Sequence, residues 1–206
     1  MILLDHLAVS GETREEARAY VEQSLGVPMQ DGGEHDVFFT HNALLALEDG
    51  LYLEAIAVNP HAATPKRPRW FDLDRFSGPP RLTNWICSTT DLRAALETLL
   101  PQDFGQPVDL QRGDLKWQMA VPESGVLPFD SVAPALIEWQ TTRHPARKLT
   151  PRGVSLARVT LRHPAGDKLK VLLSPILSDD RVRIEQGERS IHAEFFTPQG
   201  PREITG

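Results

Sequence analysis

The chain has 206 residues, a formal net charge of −6 and a single cysteine, Cys87. A chain of this length can bury a self-supporting core, and one cysteine excludes an intrachain disulfide framework. The acidic balance argues against a non-specific nucleic-acid binder, which normally carries a basic face. The N-terminus lacks the charged and apolar regions of a signal peptide, and no apolar run is long enough to cross a bilayer. We therefore expect a cytoplasmic protein with neither nucleic-acid nor membrane partners.

The first 59 residues predict a unit with the order β-α-β-β-β. After an apolar strand, the capping box Thr13-Arg-Glu-Glu16 opens a helix for which Gly26 provides a C-terminal stop. Three short strands follow, and the last two are joined by a tight turn. The four predicted strands cover 3–9, 37–40, 43–47 and 52–58.

A proline-rich connector over 60–81 follows this unit. It has no regular periodicity, but it contains the core-like residues Trp70, Phe71 and Leu73. These residues predict a loop packed on the body of the protein, with action as a lid as the alternative.

The β-α-β pattern then restarts twice, after the connector and after a basic, proline-containing joint over 143–152. Repetition at this spacing predicts duplicated modules that complete one core. We predict an α+β fold in which βαβββ modules form a curved mixed sheet with helices on its outer face. The predicted modules are 1–59, 82–141 and, appended at the C-terminus, a third, partial one over 154–206.

Strand periodicity singles out two ionisable residues in the first module. His6 and Glu54 are predicted on the interior of apolar strands, where an unpaired ionisable group costs several kcal/mol. In one interpretation they form a hydrogen-bonded pair that holds two strands in register. In the other they ligate a divalent metal ion on the concave face, where nitrogen plus carboxylate suits zinc, iron, nickel or manganese.

Four motifs occur in a characteristic order: Leu-Asp-His6, Gly32-Gly33-Glu-His35, Thr40-His41-Asn42-Ala-Leu44 and Tyr52-Leu53-Glu54. In this order and spacing they resemble the glyoxalase-like domain of the vicinal-oxygen-chelate superfamily. The resemblance covers the first sixty residues best, the second module loosely and the third hardly at all.

The resemblance implies a metal held at the first and fourth strands of paired modules. His6 and Glu54 match the first pair, and Asn84 and Glu138 stand at the matching positions of the second module. Asn84 departs from the pattern, because a neutral amide is a poor ligand. His6, Glu54 and Glu138 are then the implied ligand set, and Glu138 is the general base if it is not a ligand.

Other polar residues near these motifs are candidates for substrate binding. His35 and His41 either lie on the surface or line the pocket, and Asn42 either binds a substrate carbonyl or caps a turn. Asn84 is a fourth substrate-binding candidate. Trp85 and Trp139 each follow a candidate ligand directly, so they are expected on the opposite face of the sheet (substrate-binding candidates: His35, His41, Asn42, Asn84).

The resulting functional hypothesis is a small-molecule enzyme that catalyses a metal-assisted isomerase, lyase or dioxygenase step on a substrate with vicinal oxygens. The alternative is a metal-free binding or sequestration protein on the same fold, and a further alternative is a structural module whose third unit mediates homodimer formation. A nucleotide cofactor is not expected, because the chain has no glycine-rich phosphate loop.

Overall fold

The structure is a computed structural model that describes residues 1–142 and 144–206. Arg143, the first residue of the predicted basic joint, lies outside the described residues. Eight strands form the main sheet: β1 (Leu3–Ser10), β2 (Gln30–His35), β3 (Thr40–Ala46), β4 (Tyr52–Val58), β5 (Arg81–Ser88), β6 (Gln106–Arg112), β7 (Leu115–Val121) and β8 (Ala135–Trp139). Their spatial order is β2-β3-β4-β1-β5-β8-β7-β6.

The main sheet consists of two halves with the same strand pairing. In each half the first strand pairs in parallel with the last, β1 with β4 and β5 with β8. The halves join through the antiparallel pair β1 and β5. The two edge strands, β2 and β6, also contact each other, so the sheet curls around a concave inner face. The expected α+β fold with a curved mixed sheet is confirmed.

Two helices, α1 (Arg14–Leu25) and α2 (Leu92–Thr98), lie on the outer face. The predicted capping box is present in α1: Thr13 accepts a hydrogen bond from the backbone N–H of Glu16, whose side chain accepts one in return. Ala17, Val21 and Leu25 recur at helical spacing, and all three are buried against the sheet.

The C-terminal residues form a second sheet and a third helix: β9 (Ser155–His163), α3 (Gly166–Leu173), β10 (Val182–Gln186), β11 (Ser190–Thr197) and β12 (Gly200–Thr205). The order along the chain is again β-α-β-β-β, but the spatial order is β10-β9-β11-β12. Here the first strand pairs with the second and the third, unlike β1 and β5. This sheet contacts β5 and α1 and shares one hydrophobic core with the outer face of the main sheet.

Two strand predictions differ from the structure. The strand predicted over 37–40 lies earlier, at Gln30–His35, and a turn follows in which Phe39 has a φ of 51°. Strand β6 was not predicted, because Pro107 and its polar neighbours disguise the alternation of an edge strand. The module boundaries drawn from the sequence stay predictions.

The connector packs into the concave face instead of lying free. Trp70, Phe71 and Leu73 are buried in a second apolar cluster with residues of β7 and β8. Short 3₁₀ turns occur within the connector at Trp70–Asp72 and elsewhere at Glu48–Gly50 and Pro145–Lys148. Over the described ranges, none of the helices combines the length and apolar character needed to span a membrane.

Candidate functional site

A small cavity of about 30 Å³ lies on the inner face of the main sheet. Its volume is enough for one or two water molecules or a group of a few atoms. Trp70 and Phe71 of the connector and Trp117 of β7 enclose it with aromatic surface. The polar residues that line it are His6, His35, Asn42, Tyr52, Glu54 and Arg112.

Asp5 and His6 reach the site together because β1 has a bulge between Leu4 and His6. The Asp5 carboxylate lies 2.7 Å from His6 Nδ1 and also accepts from Trp139 Nε1 at 3.0 Å, with His144 Nε2 at 3.2 Å. Burial alone would raise the pKa of Asp5, but the hydrogen bonds from His144 and His6 bring that pKa well below its ordinary value. Asp5 is therefore ionised, and it orients the His6 ring with Nε2 facing Glu54.

Glu54 lies on β4, two residues after Tyr52, which pairs with His6 in the register. Glu54 Oε2 is 3.8 Å from His6 Nε2, and Oε1 accepts a 2.5 Å hydrogen bond from Asn42 Nδ2. The His6 ring stacks on Tyr52, with centroids 4.2 Å apart. Burial, followed by the charges of Asp5 and Glu54, raises the pKa of Tyr52 well above its usual value, so its hydroxyl stays protonated.

Arg112 enters from the opposite edge of the sheet, at the end of β6. Its Nη1 donates to Asn42 Oδ1 at 3.2 Å and lies 3.2 Å from His35 Nε2. His35 Nδ1 is 2.9 Å from Thr40 Oγ1. Burial, and then the charge of Arg112, lowers the pKa of His35 to about 3, so this imidazole is neutral near pH 7.

The Gly-Gly motif makes room for two of these side chains. A Cβ on Gly32 would stand 1.9 Å from Asn42 Oδ1, and one on Gly33 would stand 2.7 Å from Arg112 Cδ. Gly33 also donates its backbone N–H to Asn42 Oδ1 at 2.8 Å. The motif therefore fixes the position of the amide that contacts both Glu54 and Arg112.

The structure brings four of the predicted site residues together: His6, His35, Asn42 and Glu54 line one cavity. His41 does not join them, because it neighbours Asn42 on β3 and faces the surroundings of Arg14 and Glu15 at the start of α1.

Glu138 is not brought to the cavity either. Its Oε2 accepts a 2.7 Å hydrogen bond from the backbone N–H of Leu92 at the start of α2. On β8 it is Ile137 and Trp139 that line the cavity. The expected alternation is present but its phase is shifted by one residue. Trp85 lies in the outer-face core, as predicted, whereas the prediction for Trp139 was wrong.

Asn84 is fully buried on the inner-face side of β5, next to Ala8 in the register. Among the described residues, neither its amide nitrogen nor its amide oxygen has a hydrogen-bond partner. Ala8 pairs with Glu54 on its other side, so the buried amide and the carboxylate belong to one row across three strands. A buried amide without a partner is rare and calls for a ligand or an ordered water.

The donor set does not complete a metal centre of the kind that the sequence implied. His6 Nε2 and Glu54 Oε2 are spaced as two ligands of one ion can be. Across residues 1–142 and 144–206, however, no three His, Cys, Asp or Glu side chains are arranged to hold a metal ion. When Asn84 of the second half is matched to His6 of the first, Ile86 matches Ala8. Ala8 pairs with Glu54 and Ile86 pairs with Ala135, so Ala135 stands at the position that matches Glu54. In place of an imidazole and a carboxylate, the second half therefore has an amide and a methyl group.

Several residues of the site had no assigned role in the sequence. Asp5 had a signal, since it directly precedes His6 in an apolar strand. Trp70 stood out only as a core-like aromatic in the connector. Arg112 and His144 had none, because their contacts come from sequence separations of 70 and 139 residues.

Comparison with known proteins identifies relatives of the whole fold. A family model described as glyoxalase-like domain matches residues 4–177. The search of curated proteins gave no match. Among solved structures, a hypothetical protein from Staphylococcus aureus is 13% identical with a TM-score of 0.63, and the alignment covers 100% of this chain and 85% of that one.

A second solved structure is the Mn(II)-bound glyoxalase from Novosphingobium aromaticivorans. It is 10% identical with a TM-score of 0.50, and the alignment covers 98% of this chain and 81% of that one. At these identities the likeness concerns the fold. The resemblance drawn from the sequence motifs is confirmed by the family match.

Proposed function

Because the chain belongs to the glyoxalase-like domain family, we propose that its buried site catalyses proton transfer on a small molecule with neighbouring oxygen atoms. The observation that supports this most is the pair His6 and Glu54. Their facing atoms, Nε2 and Oε2, are 3.8 Å apart beside the cavity, and Asp5 and Asn42 fix each side chain from behind.

In this proposal Glu54 is the general base. Its Oε1 is occupied by Asn42, so Oε2 takes the proton from a carbon atom next to a substrate carbonyl. The electron pair of the broken C–H bond moves to the carbonyl oxygen and forms an enolate. Return of the proton to the same or a neighbouring carbon gives an epimer or an isomer.

His6 is the second proton carrier. The ionised Asp5 accepts a hydrogen bond from the Nδ1–H of His6, which leaves Nε2 to exchange a proton with a substrate oxygen or with Glu54. Isomerisation and elimination can proceed with such carriers alone, so the proposed reaction belongs to the isomerase or lyase class.

The metal-assisted reaction remains the alternative within the same class. Zinc, iron, nickel or manganese bound by His6 and Glu54 would act as a Lewis acid. The implied third ligand, Glu138, accepts a hydrogen bond from the start of α2 instead.

A metal-free binding protein is the second candidate function. It is favoured by the enclosure of the cavity, since Trp70 stacks on Phe38 with centroids 4.4 Å apart and covers the site. For either function we propose a small-molecule ligand. We also propose that the protein is cytoplasmic, because its single cysteine is buried and unpaired.

Exchange of carbon-bound hydrogen with solvent tests the proposal. Protein dialysed against EDTA is incubated in D₂O with hydroxyacetone, glyceraldehyde or pyruvate, and deuterium incorporation is followed by NMR. We expect exchange above the buffer rate, a loss of at least about 100-fold in Glu54→Gln, and near wild-type rates in Glu138→Gln. No protein-dependent exchange, or a loss confined to Glu138→Gln, would contradict the assignment of the base.

A further inference from the structure

Among residues 1–142 and 144–206, no side chain that touches Arg112 balances its charge. Its two hydrogen-bond partners, Asn42 and the neutral His35, carry no charge. Within the described part of the chain, Arg112 forms no ion pair with a carboxylate. A half-buried guanidinium without a counterion is costly, because burying a charge is favourable only when it is paired.

Asn42 is the reason that Glu54 does not neutralise Arg112. The amide stands between them, donating through Nδ2 to Glu54 and accepting through Oδ1 from Arg112. Gly33 holds the same oxygen through its backbone N–H. The cation and the base therefore line one cavity as separate charges, and each is left for another group to bind.

A second donor at the cavity has no partner. The buried indole N–H of Trp70, a residue that lines the cavity, has no hydrogen-bond acceptor among the described residues. An unsatisfied buried donor carries a desolvation penalty. Guanidinium and indole N–H are both complementary to an anionic oxygen, and neither is complementary to a cation.

The size of the cavity limits the anion to a small group. About 30 Å³ accommodates a carboxylate or an enolate oxygen and its neighbours, while a larger substrate body requires the connector residues Trp70 and Phe71 to move. The planar fork of an arginine matches the two oxygens of a carboxylate.

We propose that Arg112 binds an anionic oxygen group of the substrate, a carboxylate on the carbon next to the reacting one. This deepens the proposed proton transfer and rests on it, since the same guanidinium lies where it stabilises the charge of an enolate formed when Glu54 takes the proton. The substrate class is accordingly a small 2-oxo acid, with its carboxylate on Arg112 and its reacting carbon, the one next to the 2-oxo group, at Glu54.

Oxalate is the probe for this site, and its neutral isostere oxamide is the control ligand. Binding to EDTA-dialysed protein is measured by calorimetry and by the fluorescence of the tryptophans that line the cavity. We expect one oxalate per chain, at least about tenfold weaker binding in Arg112→Gln and a partial loss in Arg112→Lys, which keeps the charge and loses the fork. Arg93→Gln, at an exposed arginine on α2, is the matched control and should bind as the wild type does.

Three results would overturn the inference: equal oxalate affinity in Arg112→Gln and wild type, oxamide binding as tightly as oxalate, or no saturable oxalate binding. Inorganic phosphate binding more tightly than oxalate would overturn the assignment to a carboxylate. Glu54→Gln separates this proposal from the proposed function, because it should abolish exchange while it retains oxalate binding. Exchange without Arg112-dependent oxalate binding would contradict only the proposed anion site. Arg112-dependent oxalate binding without exchange would contradict only the proposed proton transfer.

Discussion

At the scale of single residues, each side chain that we propose to take part in the reaction is oriented by a neighbouring group. Asp5 fixes the ring of His6, and Asn42 fixes the carboxylate of Glu54 and the guanidinium of Arg112. Such supporting hydrogen bonds determine which nitrogen or oxygen faces the substrate. Asn84 is the exception, since its buried amide has no partner within the described residues.

Replacing Asn84 by leucine should therefore stabilise the fold. Removing a buried amide that lacks a partner relieves a desolvation penalty of about 1–3 kcal/mol. We expect Asn84→Leu to raise the free energy of unfolding by about 1 kcal/mol, as measured by urea denaturation.

Asn59 provides the matched control for this substitution. It is also buried, but its Oδ1 accepts a hydrogen bond from the backbone N–H of His61 at 3.0 Å. Asn59→Leu should thus destabilise the protein by about 1 kcal/mol. If Asn84→Leu is equally destabilising, the amide of Asn84 is satisfied in solution.

The neutral, buried His35 predicts a specific dependence of stability on pH. Its pKa is about 3 in the folded chain, compared with 6.5 as the ordinary value. Below pH 6.5 the unfolded state takes up a proton at His35 that the folded state does not. The contribution of His35 to the free energy of unfolding is therefore complete above pH 6.5 and is lost as the pH falls toward 3. The slope reaches up to about 1.4 kcal/mol per pH unit.

The substitution His35→Gln should flatten the slope between pH 6.5 and pH 4.5, whereas His61→Gln, at an exposed histidine, should not. Urea midpoints at pH 7.5, 5.5 and 4.5 measure the effect. Asp5 does not interfere in this window, because its folded pKa lies below its ordinary value of 3.8 and its contribution is lost only below that value. Parallel slopes for wild type and His35→Gln would show that His35 is not held neutral.

At the scale of elements, strand alternation predicted part of the site and missed the rest for identifiable reasons. It placed His6 and Glu54 on one face, because each is an ionisable residue among the apolar residues of its strand, and β1 and β4 are neighbours in the sheet. It failed on β8, where every residue except Glu138 is apolar, so the sequence did not show which residues face the inside of the sheet. It also gave no indication of Arg112, since an edge strand with a proline carries little pattern.

The edge hairpin of β2 and β3 supplies the next prediction. In Gly32→Ala the new Cβ would collide with Asn42 Oδ1, so the amide must leave its place between Glu54 and Arg112. We expect at least about a tenfold loss in the exchange rate, since misplacement of a catalytic group by about 1 Å has effects of this order or larger.

Gly187→Ala is the control for steric bulk alone. There the new Cβ meets only the flexible side chain of Arg162, at 3.3 Å. Gly187 follows β10 directly and is far from the site along the chain. Its exchange rate should match the wild type. Equal rates in Gly32→Ala and Gly187→Ala would mean that the position of Asn42 is not critical.

At the scale of the whole molecule, the site is assembled from both halves of the main sheet. The first half supplies His6 and Glu54, which we propose as proton carriers, and the second supplies Arg112. The two halves share their topology but not their chemistry, because Asn84 and Ala135 stand at the positions matching His6 and Glu54. The fold was predictable from the repeated β-α-β-β-β order, whereas this division of labour depends on register and contacts between distant strands.

In the proposed function, His6 and Glu54 act as proton carriers and not as the ligands of a resident metal ion. Metal content, measured by mass spectrometry on protein from metal-supplemented growth after dialysis without chelator, tests it most directly. We predict zinc, iron, nickel and manganese well below one ion per chain in wild type and Glu54→Gln alike. One such ion per wild-type chain, lost in Glu54→Gln and retained in Glu138→Gln, would contradict the account.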